Sequence, residues 1–206
     1  MKFQANVPFK LTKMFYEKLG EQPKDKRILV IRDLFTAMHA SIDNAVTFIT
    51  DDKDACELFN KNVVSNDEFG NNDTALFVDT EINKKAWNDF IKESSNMPKF
   101  DVAIMNPPYD GSLHLKILEK IIPVAEKVVN ISPIGYALDW PLFYNLKSTT
   151  NFKTKQFVMQ HMMTCEMITA ETANNMFRIS SFEKLAITTY DGKTHDVGMK
   201  LYLADA

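Results

Sequence analysis

Glycine is scarce in this chain, six in 206 residues, less than half the usual frequency of about 7%. Loops that wrap phosphates and turns that enter left-handed backbone lean on glycine, and no Gly-rich phosphate loop is present. Cysteine is scarcer still. Cys56 and Cys165 stand far apart with no second Cys or His at ligand spacing, which excludes a disulfide framework and a zinc site and marks both as buried thiols. His39, His114, His161 and His195 form no constellation with acids or nucleophiles and read as structural or surface residues, so no metal is expected. An excess of positive charge is missing too: 24 Lys and Arg stand against 27 Asp and Glu, for a net of -3. Bulk electrostatics therefore cannot grip a polyanion, and any contact with nucleic acid must be local. Ser-His-Asp order and an HExxH helix are likewise absent. Apolar runs are broken by charge within about ten residues, and Met1 leads into Lys2, Phe3, Gln4 and Ala5 without an apolar signal core. A cytoplasmic location without membrane contact is expected.

What is present is a regular alternation. With 45% apolar and 25% charged residues, the chain has the make-up of one globular domain spanning 1–206, with no separate target-recognition domain. Leu11, Met14, Phe15 and Leu19 form a helical stripe after Pro8 that stops at Gly20. Ile28 to Ile31 is a short continuous apolar run of the kind buried on both faces of a parallel sheet. The pattern recurs at Val46 to Thr50, Ala75 to Val78, Phe100 to Met105 and Val128 to Ser132, with helical stripes between. Five strands separated by helices predict a doubly wound α/β sheet. The last third differs. It reads as a helix over Phe157 to Met163, strands at Glu166 to Thr169 and Lys184 to Tyr190, and a turn at Asp191-Gly192. A partner strand is expected over Met199 to Leu203, so the sheet is expected to end in antiparallel strands. Asn60 to Asp73 reads as an exposed polar loop.

In open α/β sheets ligands bind beyond the carboxyl ends of the strands. The residues there are Asp33, Asp51 with Asp52, Asp79, Asn106 to Tyr109, and Ser132 with Pro133. Asn106-Pro107-Pro108-Tyr109 carries the most information. Two prolines remove two backbone donors and fix two φ angles, leaving a rigid, extended backbone with acceptor carbonyls. The asparagine adds an amide oxygen beside them, and the tyrosine adds a flat ring with a polar tip. That set suits a planar group bearing an NH2, whose hydrogens the Asn106 oxygen and the Pro107 carbonyl accept while Tyr109 stacks on the ring. The plainer alternative is a proline-rich turn that merely ends a strand. For Asp33, Asp51, Asp52 and Asp79 the plain alternative is a helix cap or a solvated strand end.

Phe100 to Tyr109 resembles the catalytic motif of S-adenosylmethionine-dependent adenine-N6 DNA methyltransferases, in the subgroup whose cofactor half comes first. Val7-Pro8-Phe9-Lys10-Leu11 resembles the leading segment over the methionine end of the cofactor. Val129-Asn130-Ile131-Ser132-Pro133 resembles the strand-then-proline motif, and Asn175-Met176-Phe177-Arg178 with Leu185 to Thr189 resembles the late aromatic motif and its strand. The resemblance implies a Rossmann-like methyltransferase sheet that binds S-adenosylmethionine and methylates a flipped adenine of double-stranded DNA, the chemistry of restriction–modification. Asn106, Pro107, Pro108 and Tyr109 would be catalytic. Phe177 would help clamp the base, against the alternative of a core aromatic. Asp33 and Phe35 fit the first cofactor motif, Asp51 or Asp52 the ribose carboxylate, and Asp79 the carboxylate that meets the cofactor's adenine. The glycine turn of that motif is missing, because Ala37 and His39 stand where glycines are usual.

Two other readings stay open on these residues. One is a catalytically silent module that binds nucleic acid or protein, favoured by the lost glycines. The other keeps the chemistry and changes the acceptor to RNA adenine or a protein glutamine. Target recognition would come from the segment Trp140 to Phe152, with Lys147 and the nearby Lys153 beside aromatics, from a second subunit, or from a larger protein.

Overall fold

The computed structural model describes residues 9–66, 73–79, 86–93, 97–135, 152–177, 185–195 and 201–203. Helix α1 (Phe9–Leu19) buries Leu11 and Phe15, one turn apart, against the sheet. It stops where the stripe stops: Gly20 takes φ 86, and its N–H closes the helix on the Tyr16 carbonyl at 3.0 Å, as a left-handed glycine cap does. Strands β1 (Arg27–Ile31), β2 (Ala45–Thr50), β3 (Thr74–Phe77), β4 (Phe100–Met105) and β5 (Ala125–Pro133) follow. Between them lie α2 (Leu34–Ala40), α3 (Lys53–Phe59), α4 (Ala86–Glu93) and α5 (Leu113–Ile121). Then come α6 (Phe152–Gln160), β6 (Met162–Met167), α7 (Ala170–Phe177), β7 (Leu185–Asp191) and β8 (Leu201–Leu203).

The sheet has eight strands in the order β3-β2-β1-β4-β5-β7-β6-β8. Pairs β2–β3, β1–β2, β1–β4 and β4–β5 are parallel, while β7 lies antiparallel between β5 and β6. Strand order reverses between β1 and β4, the place where an open α/β sheet leaves a crevice at its carboxyl edge. Alternate side chains feed two layers. Leu29, Ile31, Ala103, Met105 and Val128 meet Trp87 and Phe90 of α4, Leu115 and Leu118 of α5, and Val158 of α6. Ile28, Val30, Ile104 and Val129 meet Leu11, Phe15, Ala37, Phe59 and Ala173 of α1, α2, α3 and α7. Burying one such aliphatic side chain is worth about 1.5–3 kcal/mol, so these strands can sit nowhere but the middle. Both cysteines are buried, and no described helix is long and apolar enough to cross a membrane.

Four expectations are corrected. The stretch Asp33 to His39 is no open turn: α2 begins at Leu34. Asn60 to Val64 is a π-helical continuation of α3 with Val63 inside, and Asp73 is buried with Val46 N–H donating to its Oδ1 at 2.7 Å, so only part of the expected polar loop is loop. Residues 67–72 lie outside the described set. The late helix comes earlier, ending at Gln160, because Met162 and Cys165 are needed as inward residues of β6. Finally, β8 does not pair back on β7 across the Asp191-Gly192 turn; it pairs in parallel with β6, Cys165 against Leu201. β7 has no free edge to offer, since β5 and β6 occupy both of its sides.

Candidate functional site

The carboxyl ends of β1, β2, β3 and β4 bring the predicted acidic residues and the Asn-Pro-Pro-Tyr segment to one edge of the sheet. At β1 the chain turns within two residues. Arg32 adopts φ 63, a left-handed conformation that glycine enters freely and other residues enter at a cost of roughly 1–2 kcal/mol. Asp33 then caps α2: its Oδ1 accepts from Thr36 N–H at 3.2 Å and its Oδ2 from the Thr36 hydroxyl at 2.9 Å. The Thr36 hydroxyl also lies 2.8 Å from that of Thr12, tying α1 to α2. Asp33 is buried, and burial raises its pKa to about 6, the bonds from Thr36 opposing the rise. Asp33 is therefore spent on local structure. Ala37 lies inside α2, fully buried in the second core layer, and does not line a turn. Phe35 is 43% exposed beside this strand end. Tyr16, whose hydroxyl lies 3.2 Å from His39 Nδ1, has its pKa pushed up to about 12 by burial and then by Asp33 and Asp43.

At β2 the two neighbouring acids part company. Asp52 caps α3, accepting from Ala55 N–H at 3.0 Å. Asp51 points the other way: its Oδ2 accepts from the Trp87 indole N–H at 3.2 Å, and Arg32 Nε lies 2.7 Å from its Oδ1. The Arg32 contact is an ion pair without an aligned hydrogen bond, so among the described residues no group donates to this buried Oδ1. A buried acceptor without a donor is costly unless something supplies one. Beside it, Val78 N–H donates to the Thr50 carbonyl at 2.8 Å and leads half-buried Asp79 to the same edge.

At β4 the backbone N–H of Asn106 donates to the Ile31 carbonyl at 3.1 Å, extending the ladder one residue and fixing Asn106 against the end of β1. Its side chain is 8% exposed. The Tyr109 hydroxyl lies 2.7 Å from Asn106 Oδ1 and 3.0 Å from the Ile131 carbonyl. Its one hydrogen serves one of these acceptors at a time. Pro107 and Pro108 are buried, and no described residue donates to the Pro107 carbonyl. The edge thus holds an amide oxygen and a backbone carbonyl in consecutive residues, the amide oxygen next to the Tyr109 hydroxyl. On β5, Asn130 Nδ2 donates to the Ser132 hydroxyl at 2.9 Å and Ser132 is buried, so that pair serves the sheet interior.

Three participants gave no usable signal in the sequence. Trp87 reads as a core residue of α4, yet its indole reaches across to Asp51. Arg32 reads as a strand terminator. His114, expected to be structural or at the surface, is 6% exposed on α5, and its ring stands perpendicular to that of Tyr109 with centroids 6.4 Å apart. Phe177 falls in the last turn of α7, its side chain outside the described residues, as are Val7, Pro8 and the segment 136–151. Among the described residues no cluster of His, Cys, Asp and Glu could hold a metal ion.

No protein-family model matches this chain, and no curated protein matches it in sequence. Solved structures do match in fold. The 23S rRNA methyltransferase ErmE superposes with a TM-score of 0.56 at 12% identity, over 92% of this chain and 70% of its own. A dimethyladenosine transferase from Plasmodium falciparum gives 0.55 at 14% identity, over 89% of this chain and 61% of its own. TrmN from Thermus thermophilus gives 0.52 at 10% identity, over 91% and 52%. The chain shares the fold of these structures, a Rossmann-like α/β sheet that is mostly parallel with antiparallel strands toward the C-terminal end.

Proposed function

We propose that this chain is an S-adenosylmethionine-dependent methyltransferase that methylates the exocyclic N6 amino group of an adenine in nucleic acid, with double-stranded DNA and a flipped base as the preferred substrate. The observation that carries the reading is the pair of acceptors at the end of β4. Asn106 Oδ1 and the Pro107 carbonyl stand side by side at the reversal of strand order, with the Tyr109 ring next to them. When bound, S-adenosylmethionine supplies a methyl group activated by its positive sulfur. The chain would hold the cofactor's nucleoside end through Asp51, whose Oδ1 is ion-paired with Arg32 but receives no hydrogen bond among the described residues and so suits a ribose hydroxyl donor, and through Asp79 at the adenine. The glycine turn at the methionine end is replaced by Arg32, Asp33 and α2, so that end relies on other contacts.

Within this reading Asn106 and Pro107 accept the two amino hydrogens and aim the nitrogen lone pair, and Tyr109 stacks on the base. Stacking of this kind is worth about 1–3 kcal/mol, and holding nucleophile and methyl in line supplies most of the acceleration. Recognition of the target falls to segment 140–152 with Lys147 and the nearby Lys153, to a second subunit, or to a larger protein. The fold neighbours named above include an rRNA methyltransferase and a dimethyladenosine transferase, which makes RNA the acceptor to run beside DNA. The test incubates the chain with methyl-labelled cofactor and, in parallel, adenine-containing duplex DNA, structured RNA and a glutamine-containing peptide, with N6-methyladenine read by mass spectrometry. Label in DNA adenine that disappears in Asn106→Ala supports the proposal. Label only in RNA or peptide reassigns the acceptor. No cofactor binding and no label in any acceptor would leave a silent binding module, the outcome the rebuilt β1 turn favours.

A further inference from the structure

We propose that His114 is the positioning residue that sets the plane of the Tyr109 ring, and with it the face the acceptor pocket offers to a planar substrate. The inference deepens the reading of this edge as an amine-methylating site and rests on it for the identity of the substrate; the positioning itself does not.

The Tyr109 oxygen lies on the axis about which its ring rotates, while the O–H prefers to lie in the ring plane. The two acceptors at the tip, Asn106 Oδ1 at 2.7 Å and the Ile131 carbonyl at 3.0 Å, therefore fix where the ring ends and each favours its own ring plane, so that a lateral contact tips the choice. Tyr109 is half-buried, packed against the apolar layer beneath α1 to α3. The imidazole of His114 supplies direction: the rings are 89° apart with centroids at 6.4 Å, the perpendicular arrangement that the quadrupoles of two π-systems favour.

The backbone keeps His114 in place. Gly111 turns the chain at φ 55 directly after the Asn-Pro-Pro-Tyr segment, and Leu113 N–H donates to the Asp110 carbonyl at 3.0 Å. α5 therefore starts with His114 on its buried face, beside Leu115, Ile117 and Leu118. A buried imidazole suits this task while it stays neutral, because a charge would require its own partner. Burial and then Lys155 push the His114 pKa down to about 4, so the ring is uncharged throughout the physiological range.

The test compares His114→Phe, which keeps a flat ring of similar bulk, with His114→Leu, which fills the space without one; circular dichroism and thermal melting establish that both fold. The first readout is the Tyr109 ring itself, by NMR of the full chain with ring-labelled tyrosine and the Tyr109 signals assigned from Tyr109→Phe. The wild type and His114→Phe are expected to show distinct signals for the two ring edges, and His114→Leu to average them by faster flipping. The second readout is methyl transfer to the best nucleic-acid acceptor, where His114→Leu is expected to lower kcat about three- to ten-fold, the range a perpendicular aromatic pair is worth, with the KM for cofactor unchanged and His114→Phe near wild type. Identical Tyr109 signals in the wild type and His114→Leu overturn the proposal whatever the activity. Averaged signals in a protein that methylates nothing uphold the positioning and remove the functional reading instead.

Discussion

The ends of β1 and β4 lie side by side in the sheet, joined by the bond from Asn106 N–H to the Ile31 carbonyl, yet they use their polar groups in opposite ways. At β1 the groups are turned inward. Asp33 satisfies Thr36 twice, Thr36 meets Thr12, and α2 starts after two residues with Ala37 in the core. At β4 two prolines withhold donors, Asn106 keeps its oxygen at the edge, and the carbonyl of Pro107 receives no described donor. A strand end can become a ligand site only through acceptors and donors that the local backbone leaves over. By that measure β4 keeps acceptors at the edge where the proposed function needs them, while the polar groups at β1 are taken up by local structure. Asp51 lies between the two cases, with one oxygen engaged by Trp87 and the other in an ion pair but without a hydrogen bond.

The largest effect is expected at β4. Asn106→Ala removes the acceptor, and methyl transfer is expected to fall below detection, with the melting temperature within a few degrees of wild type. Removing one preorganised polar group from a reacting centre typically costs on the order of 10²–10³ in rate. Tyr109→Phe keeps the ring and loses only the hydroxyl that meets Asn106, so a smaller fall is expected, about ten-fold or less, corresponding to one hydrogen bond of about 1 kcal/mol. Turnover unchanged in Asn106→Ala would sink the assignment of this edge.

At β1 the expected effects are on stability. The buried Asp33 carboxyl has its folded pKa raised from 3.8 to about 6. A folded state that holds the proton more tightly than the unfolded chain is most stable below the unfolded value and loses stability as pH rises through the folded one. Asp33 thus weakens the fold by up to about 3 kcal/mol between about pH 4 and pH 7. Asp33→Asn keeps a good cap and drops the charge, so it is expected to raise the unfolding free energy at pH 7 and flatten this part of the pH profile in urea melts. Asp33→Ala, which also drops the charge but strands the Thr36 N–H, is expected to be less stable than Asp33→Asn by about 1–2 kcal/mol. A profile with the same slope in wild type and Asp33→Asn would assign the pH dependence to other groups.

The contrast between the two strand ends also explains what could be read from sequence. The five parallel strands were legible because each is a short run rich in apolar residues that ends at charge or proline; Ile28 to Ile31 and Phe100 to Met105 match β1 and β4 to within one residue. α2 was not, because Leu34-Phe35-Thr36-Ala37-Met38 occupies the place of a turn in the motif it resembles. Asp33 with Thr36 three residues on is a helix-start signal that the motif expectation outweighed. The pairing of β8 with β6 depends on which sheet edge is still open, which no local pattern encodes. At the site, Asn106 to Tyr109 announced itself as a rigid acceptor tetrapeptide. The reach of Trp87 to Asp51, 36 residues away, and the perpendicular stance of His114 on Tyr109 come from tertiary packing alone.

Ala37 gives the next test. A glycine there restores the residue that the first cofactor motif usually has, but Ala37 is a fully buried residue inside α2. Ala37→Gly is accordingly expected to cost about 1 kcal/mol of stability and to leave the calorimetric affinity for S-adenosylmethionine unchanged. A gain in affinity would show that this stretch opens into a turn when cofactor binds.

Arg32→Gly is expected to change stability least. Glycine enters the left-handed region at φ 63 without the steric cost of a Cβ, a gain of about 1 kcal/mol. Against this stands the loss of the Arg32–Asp51 ion pair, whose side chains are 23% and 15% exposed; a partly screened pair of this kind contributes about 1 kcal/mol or less. The two terms nearly cancel, so the midpoint of urea unfolding is expected to stay within about 0.5 kcal/mol of wild type. Affinity for cofactor separates the roles of Arg32. If the guanidinium only balances Asp51, its removal leaves Oδ1 open to a ribose while Trp87 keeps Oδ2, and binding tightens. If the guanidinium instead meets the cofactor's own carboxylate in place of the missing glycine turn, binding weakens, and β1 is a rebuilt cofactor contact with its ligand group moved from backbone to side chain.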